Sequence, residues 1–189
     1  MIRLAVVGDI GSGKSHIAKS FGFPVFNADD EVVKLYKNNR VIFRKLKKSL
    51  SEYIYSFPIS KNDLSKAILA NQSNLHKIVK IIHPEIKKKL HVFLKKNKKQ
   101  KIVILDIPLL LENKINKKDD ILIFVQSNKS EIFKRLKKRK NFNLNLLEKF
   151  KDIQLMLDYK KKKSHFIIKN NFTNTGIKKS INSILQKIL

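Results

Sequence analysis

Apolar positions fall into blocks of two periods along this chain. Ile2 to Val7 is a short, largely β-branched apolar run that stops at Gly8, the pattern of a strand buried on both faces of a parallel sheet. Residues 14–21 read as a helix. Pro24-Val25-Phe26 makes a second short strand that runs into the polar group Asn27-Ala28-Asp29-Asp30. A helical pattern then continues to about Lys37. From 38 to 100 the spacing is mostly helical, with Leu64, Ile68, Leu75, Ile78, Val79 and Ile82 on a repeating face and Pro84 expected to interrupt it. Lys101–Asp106 and Asp120–Val125 read as two further buried strands. Residues 129–163 predict two lysine-rich helices with a break near Asn141–Asn145. His165–Ile168 is a last short strand, and Ile177, Ile181, Ile184, Leu185 and Ile188 line one face of a closing helix. Strands alternating with helices predict an α/β fold with a mainly parallel sheet. No internal repeat and no Gly/Ser-rich linker divides the chain.

Composition adds one anomaly. Over 189 residues, Lys+Arg number 42 against 15 Asp+Glu, a formal charge of +27, while 42% apolar content is enough to build a core. Such a charge invites a nucleic-acid or anionic-membrane reading. Yet 37 of the basic residues are Lys and five are Arg, and Lys, Asn and Ile together fill 79 positions. A surface shaped to grip phosphate bidentately would use more Arg. The lysine runs at 87–89, 95–101 and 160–163 read most simply as solvated helix faces, the product of coding drift. With no Cys, a disulfide scaffold and a thiolate metal site are excluded. Leu4-Ala5-Val6-Val7 is too short for a signal segment or membrane span, so the expectation is a soluble, cytoplasmic protein with no membrane partner.

Glycine is scarcer and says more. Three of the five glycines lie at 8, 11 and 13, within Gly8-Asp9-Ile10-Gly11-Ser12-Gly13-Lys14-Ser15. This is a complete G-x-x-x-x-G-K-[ST] motif, preceded by a predicted strand and followed by a predicted helix. Glycines let backbone N–H groups turn inward around phosphate oxygens. The following helix contributes the positive end of its dipole. Lys14 can reach the β- and γ-phosphates, and the Ser15 hydroxyl can ligate Mg²⁺. The motif predicts a nucleoside triphosphate site.

The class of phosphate-loop protein needs other residues. Asn116-Lys117-Lys118-Asp119 matches the guanine signature N-K-x-D, but it precedes the 120–125 strand where it should follow one, and no D-x-x-G accompanies it. A compact chain of phosphate loop plus helical insert fits a small-molecule kinase best. Asp29, at the carboxyl end of the second strand, could accept a hydroxyl proton or help hold Mg²⁺. From position alone, Asp29 and Asp30 serve equally well as acids at a helix N-terminus.

Taken in order, these segments resemble the dephospho-coenzyme A kinase family. Ile10 to Ser15 matches its I-G-S-G-K-S loop, and Asn27-Ala28-Asp29 its D-A-D segment with the first Asp changed. Ile81-Ile82-His83-Pro84 matches its His-Pro pair. Leu105-Asp106-Ile107-Pro108-Leu109-Leu110-Leu111-Glu112 matches its strand into D-[IV]-P-L-L-x-E. Arg135 and Arg139, spaced to share one helix face, match its paired lid arginines, and Gln154 and Asn170 fall where a Gln and an Asn are expected. The likeness runs from residue 2 to about 185. The chain departs from it at four places: Asn27 for Asp, Lys61 for Arg, Ile132 for Gln, and Ser164-His165 for Ala-Asp.

The resemblance implies an adenylate-kinase-like phosphate-loop fold, a three-layer α/β sandwich on a five-stranded parallel sheet. It implies a core of 1–37, 100–126 and 164–189, a helical acceptor lobe over about 38–99, and a helical lid over about 127–163. The implied reaction is transfer of the ATP γ-phosphoryl group to the ribose 3′-hydroxyl of dephospho-coenzyme A, the last step of coenzyme A synthesis. Asp29, Lys14 and Arg139 would carry catalysis. Gly11, Ser12, Gly13, Lys14, Ser15, His16, Arg135 and Arg139 would bind ATP, with Mg²⁺ on Ser15 and Asp106. The acceptor would meet Asp29, Lys61, His83, Pro108 and Leu109. Without the resemblance, His83 reads as a core or helix-end residue, Pro108-Leu109 as packing and the arginine pair as a solvated face. The expected partners are the two small-molecule substrates alone, with no specific nucleic acid, on a monomer or weak homo-oligomer. Two rivals remain at this level: another small-molecule or nucleoside monophosphate kinase, and a basic nucleic-acid-binding protein with a vestigial ATP site.

Overall fold

A computed structural model describes residues 1–140 and 142–189. Its elements in chain order are β1 (Ile2–Gly8), α1 (Lys14–Ser20), β2 (Val25–Asn27), α2 (Ala28–Asn38), α3 (Arg40–Ser49), α4 (Lys61–Ala70), α5 (Gln72–Lys96), β3 (Ile102–Asp106), β4 (Ile121–Gln126), α6 (Lys129–Lys137), α7 (Leu144–Asp152), α8 (Leu157–Lys163), β5 (Phe166–Lys169) and α9 (Asn174–Ile188). They group into two compact units. One comprises Met1–Asn27, Leu94–Phe142 and Gln154–Leu189, and the other Ala28–Phe93 and Asn143–Ile153.

Among the described residues, the five strands lie in the first unit, in the order β2-β3-β1-β4-β5, every pair parallel. Strands β1, β3 and β4 are nearly all apolar because both faces of the sheet are covered. On one face Leu4, Val6, Ile102, Ile104, Ile123, Val125 and Ile168 pack against Ile17, Ala18 and Phe21 of α1 and the region that follows it, and against Ile177, Ile181 and Ile184 of α9. The alternate residues Ala5, Val103, Leu105 and Phe124 are buried as well. Arg3 and Asp120 form a buried ion pair: Arg3 Nε lies 2.8 Å from Asp120 Oδ1, and Nη2 donates to Oδ2 at 3.0 Å. Burial raises the Asp120 carboxyl above its ordinary value despite the Lys117 amide and the Arg3 charge, which pull the other way.

The second unit is helical. Its interior holds Leu35, Ile42, Leu46, Leu64, Ile68, Leu75, Ile78, Ile82, Ile86 and Leu147. The buried Asn74 donates to the Ala67 carbonyl at 2.9 Å, joining the start of α5 to α4.

Two expectations about the helices fail. Pro84 does not interrupt its helix; it lies inside the 25-residue α5. The apolar face runs on through Ile82, Ile86 and Leu90, and its burial outweighs one missing backbone hydrogen bond. Residues 129–163 form three helices where two were expected. The extra break falls at 153–156, where the Leu155 amide donates to Glu112 Oε1 at 3.1 Å, a long-range bond that no local pattern announces. Of the anticipated break near Asn141–Asn145, Asn141 lies outside the described residues. Asn143 caps α7, its side chain accepting from the Leu146 amide. Among the described residues, no helix is long and apolar enough to cross a membrane.

Candidate active site

The phosphate loop joins β1, the central strand, to α1. Gly11 and Gly13 have φ of 83° and 91°, a conformation that residues with a Cβ rarely adopt. Both are also crowded. A Cβ on Gly11 would stand 3.0 Å from Ile132 Cγ2 and Leu136 Cγ of α6, and one on Gly13 would collide with the Asn170 side-chain amide. Lys14 Nζ donates to the Asp9 carbonyl at 2.7 Å and the Gly8 carbonyl at 3.2 Å, so the ammonium lies over the loop. The Asp9 carboxylate accepts from the Ile10 amide at 2.7 Å. The Ser12 hydroxyl is fully buried yet has no hydrogen-bond partner among the described residues. A buried hydroxyl left unpaired costs free energy, about 1–3 kcal/mol, that an anionic oxygen in the loop would offset.

The loop is held from behind. Ser127 Oγ, beyond β4, and Asn170 Nδ2, beyond β5, both donate to the Ser12 carbonyl, at 2.9 and 2.8 Å. Asn170 Oδ1 accepts from the Phe172 amide at 2.8 Å, and the Phe172 ring lies 4.3 Å from the Arg135 guanidinium. Arg135 is thereby tied to the loop's surroundings. Arg139 is not on the same helix face, contrary to expectation. Helix α6 ends at Lys137, and the Arg139 amide turns back to the Leu136 carbonyl at 3.0 Å in a tight turn. Six basic residues over 134–140 gain nothing from further helical stacking of like charge. His16 and Ser15 are exposed on α1.

Asp106 ends β3, paired in register with Asn27 at the end of β2. Its carboxylate is 3% exposed, and Oδ2 accepts from Asn27 Nδ2 at 2.6 Å. The departure from the family's D-A-D thus puts an amide donor where an Asp would set carboxylate against carboxylate. After Asp106 the chain makes a tight turn, with Leu109 at φ 57° and the Asn113, Lys114 and Ile115 amides bonded back to Leu109, Leu111 and Leu110. A left-handed Leu is strained, and the turn holds it. Pro108 and Leu109 are half-buried.

Asp29, Lys61 and His83 belong to the helical unit. Asp29 follows Asn27 by two residues in the first turn of α2, with Asp30 and Glu31 beside it. Burial, and then the Asp29 charge, push the Tyr36 phenol far above its ordinary range, so Tyr36 stays neutral near Asp29. Lys61 is the exposed first residue of α4. In α5, His83 Nε2 is buried without a hydrogen-bond partner among the described residues. Burial first, and Lys87 second, hold its imidazole below the usual 6.5, so the ring is neutral at physiological pH.

The fold therefore gathers the loop glycines, Ser12, Lys14, Asn170 and Arg135 around one feature and sets Asp106 against Asn27. Sequence reasoning missed Ser127, Phe172 and Tyr36, whose roles rest on contacts with no local pattern. Besides Asn27, two more of the four departures have a physical account here. Ile132 is buried against Gly11. His165 Nδ1 accepts from the Leu122 amide at 3.0 Å while its own amide donates to the Leu122 carbonyl, which ties β4 to β5.

As a donor set for a divalent cation, the Ser15 hydroxyl and the Asp106 carboxylate supply oxygen, which suits a hard ion such as Mg²⁺. Among the described residues no cluster of three His, Cys, Asp or Glu exists to hold one alone. Such an ion would draw its other ligands from phosphate and water.

Comparison with known proteins bears on this site. The family model described as dephospho-CoA kinase matches residues 2–176. Dephospho-CoA kinase of Wolbachia pipientis wMel is 31% identical over 190 residues, covering 98% of this chain and 97% of that relative. A solved structure from Thermus thermophilus superposes with a TM-score of 0.76 at 20% identity, over 100% of this chain and 98% of its own. Dephospho-CoA kinase from Campylobacter jejuni does so with a TM-score of 0.63 at 24% identity, over 98% and 96%. At those identities the two structures speak for the fold.

Proposed function

The chain belongs to the dephospho-CoA kinase family, and from that premise we propose that it transfers the γ-phosphoryl group of ATP to the ribose 3′-hydroxyl of dephospho-coenzyme A. The observation that carries this reading is the phosphate loop at the carboxyl end of β1, with its two left-handed glycines, the Lys14 ammonium over it and the unpaired Ser12 hydroxyl inside it.

In this reading the loop's backbone amides and Ser12 bind the β- and γ-phosphates, and Lys14 exchanges its carbonyl partners for phosphate oxygens. Arg135 and Arg139 add cationic groups around the donor. The acceptor's 3′-oxygen attacks the γ-phosphorus as the bond to the β-phosphate bridging oxygen breaks. ADP leaves, and the hydroxyl proton passes to the Asp29 carboxylate. His83, neutral and with an unpaired ring nitrogen, offers the acceptor a hydrogen bond. Lys61 offers it charge, and Pro108-Leu109 an apolar wall. Mg²⁺, held by Ser15 and Asp106 with the donor's phosphates, would offset charge on the transferring group. Residues over about 38–99 act as acceptor lobe and those over about 127–163 as lid, and their closure keeps water from taking the acceptor's place. A cytoplasmic address, and function without a macromolecular partner, belong to the same proposal.

The test is product analysis. Purified protein with ATP and Mg²⁺ is offered dephospho-coenzyme A and, separately, a panel of nucleoside monophosphates and small alcohols. Coenzyme A should form, with the new phosphate at the ribose 3′ position. Turnover confined to another acceptor would overturn the substrate assignment, and tight nucleic-acid binding without any acceptor-dependent turnover would overturn the reaction.

A further inference from the structure

Glu112 ends the D-I-P-L-L-L-E segment, yet its carboxylate is committed elsewhere. Oε1 lies 2.6 Å from Lys160 Nζ of α8, with the two side chains only 9% and 4% exposed. The same Oε1 accepts from the Leu155 amide at 3.1 Å, and Lys160 Nζ lies 3.5 Å from Gln154 Oε1. In a chain crowded with exposed lysines, Lys160 is buried and partnered. A buried ion pair earns little net stability, so its placement calls for another reason.

Its position in the chain supplies one. Between Ile153 and Gln154 the backbone passes from the helical unit, which includes α7, to the unit of the sheet. The first residues after that passage are those that Glu112 and Lys160 grip. We propose that Glu112 and Lys160 are positioning residues: they fix the chain where it re-enters the sheet unit, so that movement of α7 during turnover works against an anchored point. Asn27 does the same at another passage, bound to Asp106 one residue before the helical unit begins at Ala28. The D-I-P-L-L-L-E segment thus contributes an acid at each end to hold a passage between the units. This extends the kinase reading, and one arm of its test is independent of it.

The test uses E112L/K160M, which replaces the pair by apolar side chains of similar size, with K160R as the conservative control. The double variant should melt within a few degrees of the wild type. Amide exchange over residues 153–157 should rise at least tenfold, and acceptor-dependent kcat should fall at least tenfold, with KM for ATP changed less than twofold. K160R should keep both near their wild-type values. Should the double variant not fold, E112Q takes its place, with kcat reduced at least threefold at unchanged KM for ATP. Wild-type kcat in the folded variant, or unchanged exchange over 153–157, would overturn the anchor. A wild type that ignores dephospho-coenzyme A would overturn the substrate assignment, while the exchange arm would still decide the anchor.

Discussion

Gly13 shows how much of the site is written in single residues. Its φ of 91° and its closeness to the Asn170 amide leave no room for a Cβ. Gly13→Ala must take on a left-handed conformation costing about 1–2 kcal/mol, and must push Asn170 off the Ser12 carbonyl, at about 0.5–1.5 kcal/mol. The expected result is a stability loss of about 2–3 kcal/mol by thermal unfolding and at least tenfold weaker ATP binding by titration; wild-type binding in a folded variant would contradict the loop geometry. His83 carries a prediction about pH. Its folded value lies below 6.5, so on acidification the unfolded chain takes the proton first. Its contribution to stability is therefore intact above about pH 6.5 and lost as pH falls toward the folded value. An NMR titration should place its midpoint below 6.5; a midpoint at or above that would contradict the burial. The phosphate-loop residues were legible because the motif is contiguous and each residue type answers to one conformation or contact. Ser127, Phe172 and Tyr36 were not, since each acts through a partner distant in sequence.

Elements were legible where burial is uniform and obscure where tertiary contacts overrule local preference. The strands β1, β3 and β4 read directly as unbroken apolar runs, and the amphipathic α9 as a helical stripe. The parallel arrangement followed from alternation with helices, but the order β2-β3-β1-β4-β5 depends on crossovers that no single segment encodes. Pro84 argued locally for a break, and the apolar face of α5 overrode it. Pro84→Ala restores a backbone donor toward the Lys80 carbonyl, and denaturation should show a gain of about 1–3 kcal/mol; a loss would mean that the proline shapes the helix for packing. The third helix of the 129–163 region escaped the local pattern for the same reason: the break at 153–156 is fixed by Glu112, far away in the chain, whereas the end of α6 before Arg139 follows from like charge crowded over 134–140.

Over the whole molecule, the charge of +27 proves less informative than five glycines. Most of it is lysine on exposed helix faces, a diffuse field that draws polyanions without choosing among them. Raising ionic strength from about 0.05 to about 0.5 M shrinks the screening length to a few ångströms. KM for both substrates should then rise several-fold with kcat changed less than twofold, and a fall in kcat as large as the rise in KM would contradict this division. The informative cations are few: Lys14 over the loop, Arg135 on Phe172, and Lys160 in its buried pair. In the proposed reaction the phosphate loop and Asp29 together pass a phosphoryl group to a hydroxyl acceptor. The most direct measurement is ADP release with and without dephospho-coenzyme A, wild type beside Asp29→Asn. The account predicts acceptor-dependent turnover that the substitution lowers at least tenfold, within the ~10²–10⁴ range of general-base contributions or just short of it. An Asp29→Asn enzyme as active as the wild type would contradict it.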